Sequence, residues 1–262
     1  MKETVKQWVA GTPLEGLARS IYRTLRGALA AAPPAPTDLN TLYDLQTEAI
    51  MERVLDRRST CIDIGCHEGA ILDGMLRIAP EGTHYAFEPL PHLFAALARK
   101  YASSPNVRLF EVALSEAPGK ATFQHVVTNP AYSGLLRRQY ARHDEEIVEI
   151  PVTLARLDDL VPADAPVRLV KIDVEGAELQ VLRGATATLK RCRPYVVFEH
   201  GRGAADCYGT TPGQVFDLLA GCGLRISIMG DWLEAGSAKT LTREAFGEQF
   251  ETGRNYYFVA HP

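Results

Sequence analysis

Two acidic residues stand at the ends of consecutive strand-like runs, with glycines beside the first of them. The run C-I-D-I-G-C-H-E-G, Cys61–Gly69, puts Asp63, Gly65, His67 and Gly69 where a first strand turns into a first helix. Gly65 and Gly69 lack the Cβ atoms that would block a ligand lying against this turn, and the following helix offers free N–H groups. The next run, H-Y-A-F-E-P, ends in Glu88, 23 positions after Gly65. That spacing fits an acid that accepts hydrogen bonds from ribose hydroxyls. Together the two strand ends predict a nucleoside crevice.

The glycines also discriminate between nucleosides. A pyrophosphate needs the G-x-G-x-x-G turn so that its charge can rest on the helix N-terminus. Here Cys66 and His67 fill the turn and G-x-x-x-G remains. Asp63 suits a ligand with an amino group and a positive sulfur better than one with two phosphates. The pattern therefore favours S-adenosylmethionine over NAD.

A second group of chemistry-bearing residues follows a later run, V-K-I-D-V-E-G-A-E, Val170–Glu178. In an extended strand end Asp173 and Glu175 point to one side, toward the crevice beyond the carboxyl edge of a parallel sheet. Glu178 falls in the first turn of the next helix, where the helix dipole also favours its charge. The following strand ends in Glu199 and His200. Methyl transfer to an alcohol needs alignment and a group that takes the hydroxyl proton, which is worth about 10²–10⁴-fold. His200 has the right range for that base, and Asp173 competes with it. The carboxylates also suggest a divalent metal ion, although no unambiguous third ligand is placed.

These residues require a sheet to carry them. Short apolar runs at 60–64, 84–87, 107–112, 169–174, 195–198, 224–229 and 256–260 read as strands. Helical patterns at 70–78, 93–101, 177–189 and 214–219 separate most of them, as in right-handed βαβ crossovers. Asp38 can cap a helix that runs to about Arg57. Between 120 and 154 two strand-like runs flank about twenty mostly polar residues, an insertion that reads as a substrate lid. His125, Asn129, Tyr132, Ser133, Arg137, Arg138 and Tyr140 give it the aromatic and hydrogen-bonding groups that sugars favour; the alternative is a solvated polar loop. Trp232 falls in an edge loop after the sixth strand, over either substrate or core.

The chain divides into residues 1–36, a helical extension with a Pro/Ala linker at Ala30–Pro36, and a catalytic domain over 37–262. Leu14, Leu17, Ala18, Ile21 and Leu25 follow helical spacing, opposite Arg19, Arg23 and Arg26. That helix packs on the domain or on a second subunit, as in a homodimer, or makes peripheral contact with an anionic membrane. Charges and prolines interrupt every apolar run, so a transmembrane segment is not expected. A net charge of −4 argues against nucleic acid as a partner. Five cysteines without a CxxC pair read as reduced, mostly buried thiols of a cytoplasmic protein.

From about Tyr43 to the C-terminus the chain resembles the FkbM-type methyltransferase family. The blocks that carry the resemblance are Cys61–Gly69, Y-A-F-E-P at Tyr85–Pro89, V-A-L-S at Val112–Ser115, Val170–Glu178 with K-I-D-V-E-G-A-E at its centre, and R-P-Y-V-V-F-E-H at Arg193–His200. The resemblance implies an α/β class I methyltransferase (Rossmann-like) fold, with a mostly parallel seven-stranded sheet and an antiparallel last strand. It implies O-methylation of hydroxyls on sugars, glycans or secondary metabolites. Carried over by position, Asp63, Gly65, His67 and Gly69 line the methionine part, Glu88 holds the ribose, and Ala113, Leu114 and Ser115 flank the adenine. Glu175, Glu178, His125 and Tyr132 fall on the acceptor side. In the commoner form of the first motif, D-x-G-A-N, an Asn stands where this chain has His67. Rival readings are a small-molecule N-methyltransferase, a non-catalytic cofactor-binding partner protein, and an NAD-dependent oxidoreductase.

Overall fold

The computed structural model describes residues 38–138 and 145–262. The amphipathic N-terminal helix, the Pro/Ala linker and Tyr140 of the insertion lie outside the described residues. Residues 42–262 form one compact unit.

In chain order the elements are α1 (Leu39–Val54), β1 (Thr60–Ile64), α2 (Ala70–Ile78), β2 (His84–Phe87), α3 (Pro91–Lys100), β3 (Val107–Phe110), β4 (Ala113–Leu114), β5 (Gly119–Val126), β6 (Ile147–Ala155), α4 (Leu157–Leu160), β7 (Val167–Ile172), α5 (Glu178–Gly184), α6 (Thr186–Cys192), β8 (Tyr195–Glu199), α7 (Pro212–Gly221), β9 (Arg225–Ile228), α8 (Met229–Ala235), α9 (Arg243–Thr252) and β10 (Tyr257–His261). Seven strands pair in the order β3-β2-β1-β7-β8-β10-β9, and β10 runs antiparallel to both of its neighbours. This is the seven-stranded class I methyltransferase topology.

Strand alternation explains why both faces of this sheet are covered. Ile62, Ile64, Val170, Ile172, Val196, Phe198 and Phe258 pack with α5, α6, α7 and α9 through Leu182, Leu189, Leu219 and Phe246. Cys61, Leu169, Val197 and Val259 pack on the other face with α1, α2, α3 and α8 through Met51, Met75, Leu97 and Trp232. Side chains at successive strand positions go to opposite faces, so a sheet with helices on both sides reads as continuous apolar runs.

Several boundaries depart from the sequence reading. The strand in the run 107–112 ends at Phe110, and a further short strand just after the run, β4, leaves the main sheet to pair with β6. With the β5–β6 hairpin it forms a second sheet of order β4-β6-β5, in which the two strand-like runs expected within 120–154 pair as a two-stranded arm. The pattern at 177–189 is two helices: the carboxylate of Asp158 accepts from the Ala187 and Thr188 N–H groups at 2.8 and 2.9 Å, and so caps α6 as a separate helix. Trp232 lies inside α8, 5% exposed, with its ring 5.4 Å from that of Tyr195; it belongs to the core. At the N-terminus Asp38 does accept from Thr41 N, at 2.9 Å. The five cysteines are free, three of them buried, with Cys192 half-buried and Cys207 exposed. Among the described residues no helix is long and apolar enough to cross a membrane.

At the carboxyl edge β1 and β7 come into backbone contact. Asp173 N donates to Ile64 O at 3.0 Å, and a Cβ on Gly65 would fall 1.8 Å from Asp173 O. Gly65 also has φ +77°, in the left-handed region. Gly65→Ala combines a backbone clash with an unfavourable φ, and the expected cost is about 3 kcal/mol or more of unfolding free energy. Urea denaturation followed by far-UV circular dichroism measures it.

Candidate active site

The first turn, the end of β2, the start of β4 and the loop after β7 enclose a cavity of about 410 Å³. Asp63, Gly65 and His67 line it on one side, Glu88 and Leu90 on another, and Ala113 and Leu114 on a third. Pro130, Ala131, Ser133 and Leu135 of the inserted arm line it as well.

Glu88 is fixed by backbone. Its Oε2 accepts from His67 N at 2.8 Å and its Oε1 from Leu90 N at 2.9 Å, and it is 5% exposed. Burial pushes its carboxyl up to about 7, against those two hydrogen bonds. His67 can aim its N–H at Glu88 because it adopts φ +49°. Asn, Asp and His are enriched in this left-handed region, so His67 suits the backbone conformation of the turn.

Asp63 is 2% exposed, and its Oδ2 has no hydrogen-bond partner among the described residues. Burial pushes it up to about 6, while the charge of Lys171 pulls it down. The space that Gly65 and Gly69 leave open is filled by protein: a Cβ on Gly69 would meet Tyr101 Oη at 2.4 Å, as one on Gly65 would meet Asp173 O. This corrects the expectation that the missing Cβ atoms make room for a ligand. They let the turn seat against β7 and α3.

The second cluster forms where the chain leaves β7 and β8. Carboxylate oxygens of Asp173, Glu175 and Glu199 lie within 4.8 Å of one another. Strand alternation is not what joins them, since β7 ends at Ile172 and Glu175 sits in a turn at φ +58°. Asp173 Oδ2 accepts from Lys171 Nζ at 3.0 Å and from Tyr257 Oη at 2.5 Å. Arg138, from the inserted arm, makes an ion pair with Glu175 in which both side chains are nearly buried. The Arg138 guanidinium also lies over the ring of Tyr132, 4.8 Å from its centre.

These surroundings divide the carboxylates. Burial raises Asp173, but Lys171, the Tyr257 hydrogen bond and Arg138 outweigh it and hold the group below the usual carboxylate range. Burial and the charge of Asp173 push Glu175 up to about 8 despite Arg138. Burial, Asp173, Glu175 and Glu178 push Glu199 well up. Glu178, 1% exposed, folds back so that its Oε1 accepts from Gly176 N at 3.0 Å. It braces the 173–177 turn. The three mutually close carboxylates are within reach of a divalent cation, which would compete with Arg138 for Glu175.

Three expected site residues lie elsewhere. His200 is fully buried, its ring stacked between Phe246 and Phe250 at 5.5 and 4.9 Å, and neither ring nitrogen has a partner among the described residues. Successive residues at the end of β8 point to opposite faces, which sends Glu199 to the cluster and His200 into the apolar core, where burial depresses it to about 4. Ser115 is buried off the cavity, its N–H bonded to Ala155 O. His125 stacks on His92 at 5.0 Å and stands outside the cavity wall. Two residues of the cluster were not singled out as site residues, Lys171 and Tyr257, and Arg138 was read as a hydrogen-bonding group of the insertion rather than as a partner of the acidic cluster. Lys171 stands within the same motif as Asp173, whereas Tyr257 is 84 positions away, and no spacing links them.

Residues 63–226 match the Methyltransferase FkbM domain. The chain is 30% identical over 148 residues to "2-O-methyltransferase NoeI" of Sinorhizobium fredii (strain NBRC 101917 / NGR234), an overlap of 50% of this chain and 59% of that protein. It is 29% identical over 152 residues to "Methyltransferase sdnD" of Sordaria araneosa, over 47% of this chain and 59% of that protein. The overlaps thus span about three fifths of either relative. Among solved structures, the FkbM methyltransferase of Methylobacillus flagellatus KT is 13% identical with a TM-score of 0.49, covering 79% of this chain and 44% of that one. The matched range takes in well over half of the chain, from Asp63 at the first turn past Glu199 at the end of β8, and the chain belongs to the FkbM methyltransferase domain family.

Proposed function

We propose that this chain is an S-adenosylmethionine-dependent O-methyltransferase that acts on a hydroxyl of a sugar, glycan or related metabolite. The observation that carries the cofactor assignment is Asp63: a buried carboxylate whose Oδ2 has no hydrogen-bond partner among the described residues, in the lining of a cavity that Glu88 of the adjacent strand end also lines. A buried carboxylate without a partner is costly, and a ligand with an ammonium group and a sulfonium would relieve that cost. Asp63 would hold the amino-acid end, Glu88 the ribose hydroxyls, and Ala113 and Leu114 the adenine. The volume is of the size that encloses a small ligand. S-adenosylmethionine, when bound, supplies an activated methyl group, so the protein needs only to align an acceptor and take its proton.

Asp173 is the group suited to take it. Of the clustered carboxylates it is the one held below the usual carboxylate range, while burial and the neighbouring charges push Glu175 up to about 8 and Glu199 well up. It lines the same cavity as Asp63. The arm residues Pro130, Ala131 and Leu135 line that cavity as well. Support for a sugar hydroxyl comes from the name of one relative, a 2-O-methyltransferase, and from the neighbouring Tyr132 and Arg138, which offer an aromatic face and several donors.

Titration calorimetry should show saturable binding of S-adenosylhomocysteine, weakened by about tenfold or more in Glu88→Ala. Saturable NAD binding without S-adenosylhomocysteine binding would overturn the cofactor reading. Asp173→Asn should keep that binding and lose about 10²-fold in turnover on a panel of sugars and glycosides; full turnover would remove Asp173 as the base.

His200→Leu should leave turnover unchanged and make the fold more tolerant of acid. Above the ordinary value of 6.5 the ring is neutral whether the chain is folded or not, and its packing contributes in full. Between 6.5 and about 4 the unfolded chain takes a proton that the folded one refuses, so stability drains as pH falls. The loss reaches about 3 kcal/mol. Thermal melts at neutral pH and near pH 5 should differ less in His200→Leu than in wild type.

A further inference from the structure

Tyr257 opens the antiparallel strand β10 and stands opposite Glu199 of β8 in the sheet register. Its hydroxyl reaches past β8 to the loop after β7 and donates to Asp173 Oδ2 at 2.5 Å. Lys171 Nζ donates to the same oxygen at 3.0 Å, and lies 3.4 Å from Tyr257 Oη and 4.9 Å from the centre of its ring. The ring of Tyr43 packs on that of Tyr257 at 5.1 Å and limits its swing. Both donors therefore converge on one oxygen of Asp173. Among the described residues no donor takes the other, Oδ1.

The groups that face Asp173 are otherwise mostly acidic: Glu175 from its own loop, Glu178 from α5, Glu199 from β8 and Asp63 from β1. The positive ones are Lys171 of β7 and Arg138 of the arm. In such a coupled cluster the carboxylates do not all ionise, and the charge settles on the member with the most donors. Removing donors from Asp173 would pass its charge to a neighbour.

We propose that Tyr257 and Lys171 are positioning residues: they pin Asp173 by Oδ2 and leave Oδ1 to accept the acceptor's proton. This rests on the reading of Asp173 as the base. It assigns work to the last strand of the sheet, which lies outside the range of the family match.

The test is carbon NMR of protein labelled with ¹³C at the aspartate carboxyl, with the Asp173 signal identified by its loss in Asp173→Asn. In Tyr257→Phe, which keeps the ring, the Asp173 signal should titrate at higher pH than in wild type. Its kcat/KM relative to wild type should be about twofold lower near pH 5 than near pH 8, with S-adenosylhomocysteine affinity within about twofold of wild type. Lys171→Gln should move the signal in the same direction and stands in if Tyr257→Phe does not fold. An Asp173 signal unmoved in the folded variant would overturn the proposal. A moved signal with an unmoved pH profile would keep the positioning and reject Asp173 as the base, which separates the two readings.

Discussion

The contact between Gly65 and the Asp173 carbonyl is the constraint on which the site depends. Because Gly65 has no Cβ, the end of β1 can close on the end of β7, and Asp173 N completes the approach with a hydrogen bond to Ile64 O at 3.0 Å. The turn that faces the nucleoside side and the loop that carries the acidic cluster therefore share one wall of one cavity. Lys171 stands between them and acts on both, lowering Asp63 and Asp173 together. His67 extends the same frame sideways, since its left-handed backbone sends the N–H that fixes Glu88 at the end of β2.

This frame is electrostatically expensive. Asp63, Glu88 and Glu178 are almost wholly buried, and Glu175 and Glu199 lie close to Asp173. Buried carboxylates stay charged where cations and donors are supplied, and elsewhere keep their protons. Lys171 and Tyr257 direct the charge onto Asp173, Arg138 offsets Glu175, and the backbone N–H of Gly176 satisfies Glu178. Asp63 Oδ2 is left without a partner, a residual demand for positive charge in the cavity wall. A sulfonium nucleoside with an ammonium group answers that demand better than a pyrophosphate, which would add negative charge to an acidic wall.

Local patterns carried a large part of this arrangement. The alternation of apolar runs with helical ones gave the order of the elements, and the Asp63–Gly69 turn and Glu88 were visible from residue type and spacing because each lies at a strand end. Facing direction was harder. Glu199 and His200 are adjacent, and sequence alone does not show which of them meets Phe246 and which meets the cluster. Glu175 reaches Asp173 through a turn at positive φ, which the strand pattern of Val170–Val174 conceals. Tyr257 and Arg138 arrive from distant segments, so their parts follow from strand pairing and from the seating of the arm rather than from any motif. The glycines were legible as necessary but not for their reason, since the atoms that crowd them belong to Asp173 and Tyr101.

A crystal structure of the protein with S-adenosylhomocysteine tests the central assignment most directly. The expected complex places the ribose hydroxyls on Glu88, the ligand's amino group on Asp63 Oδ2, and the adenine beside Ala113 and Leu114. A ligand bound outside this cavity, or one that turns its ribose away from Glu88, would contradict the assignment.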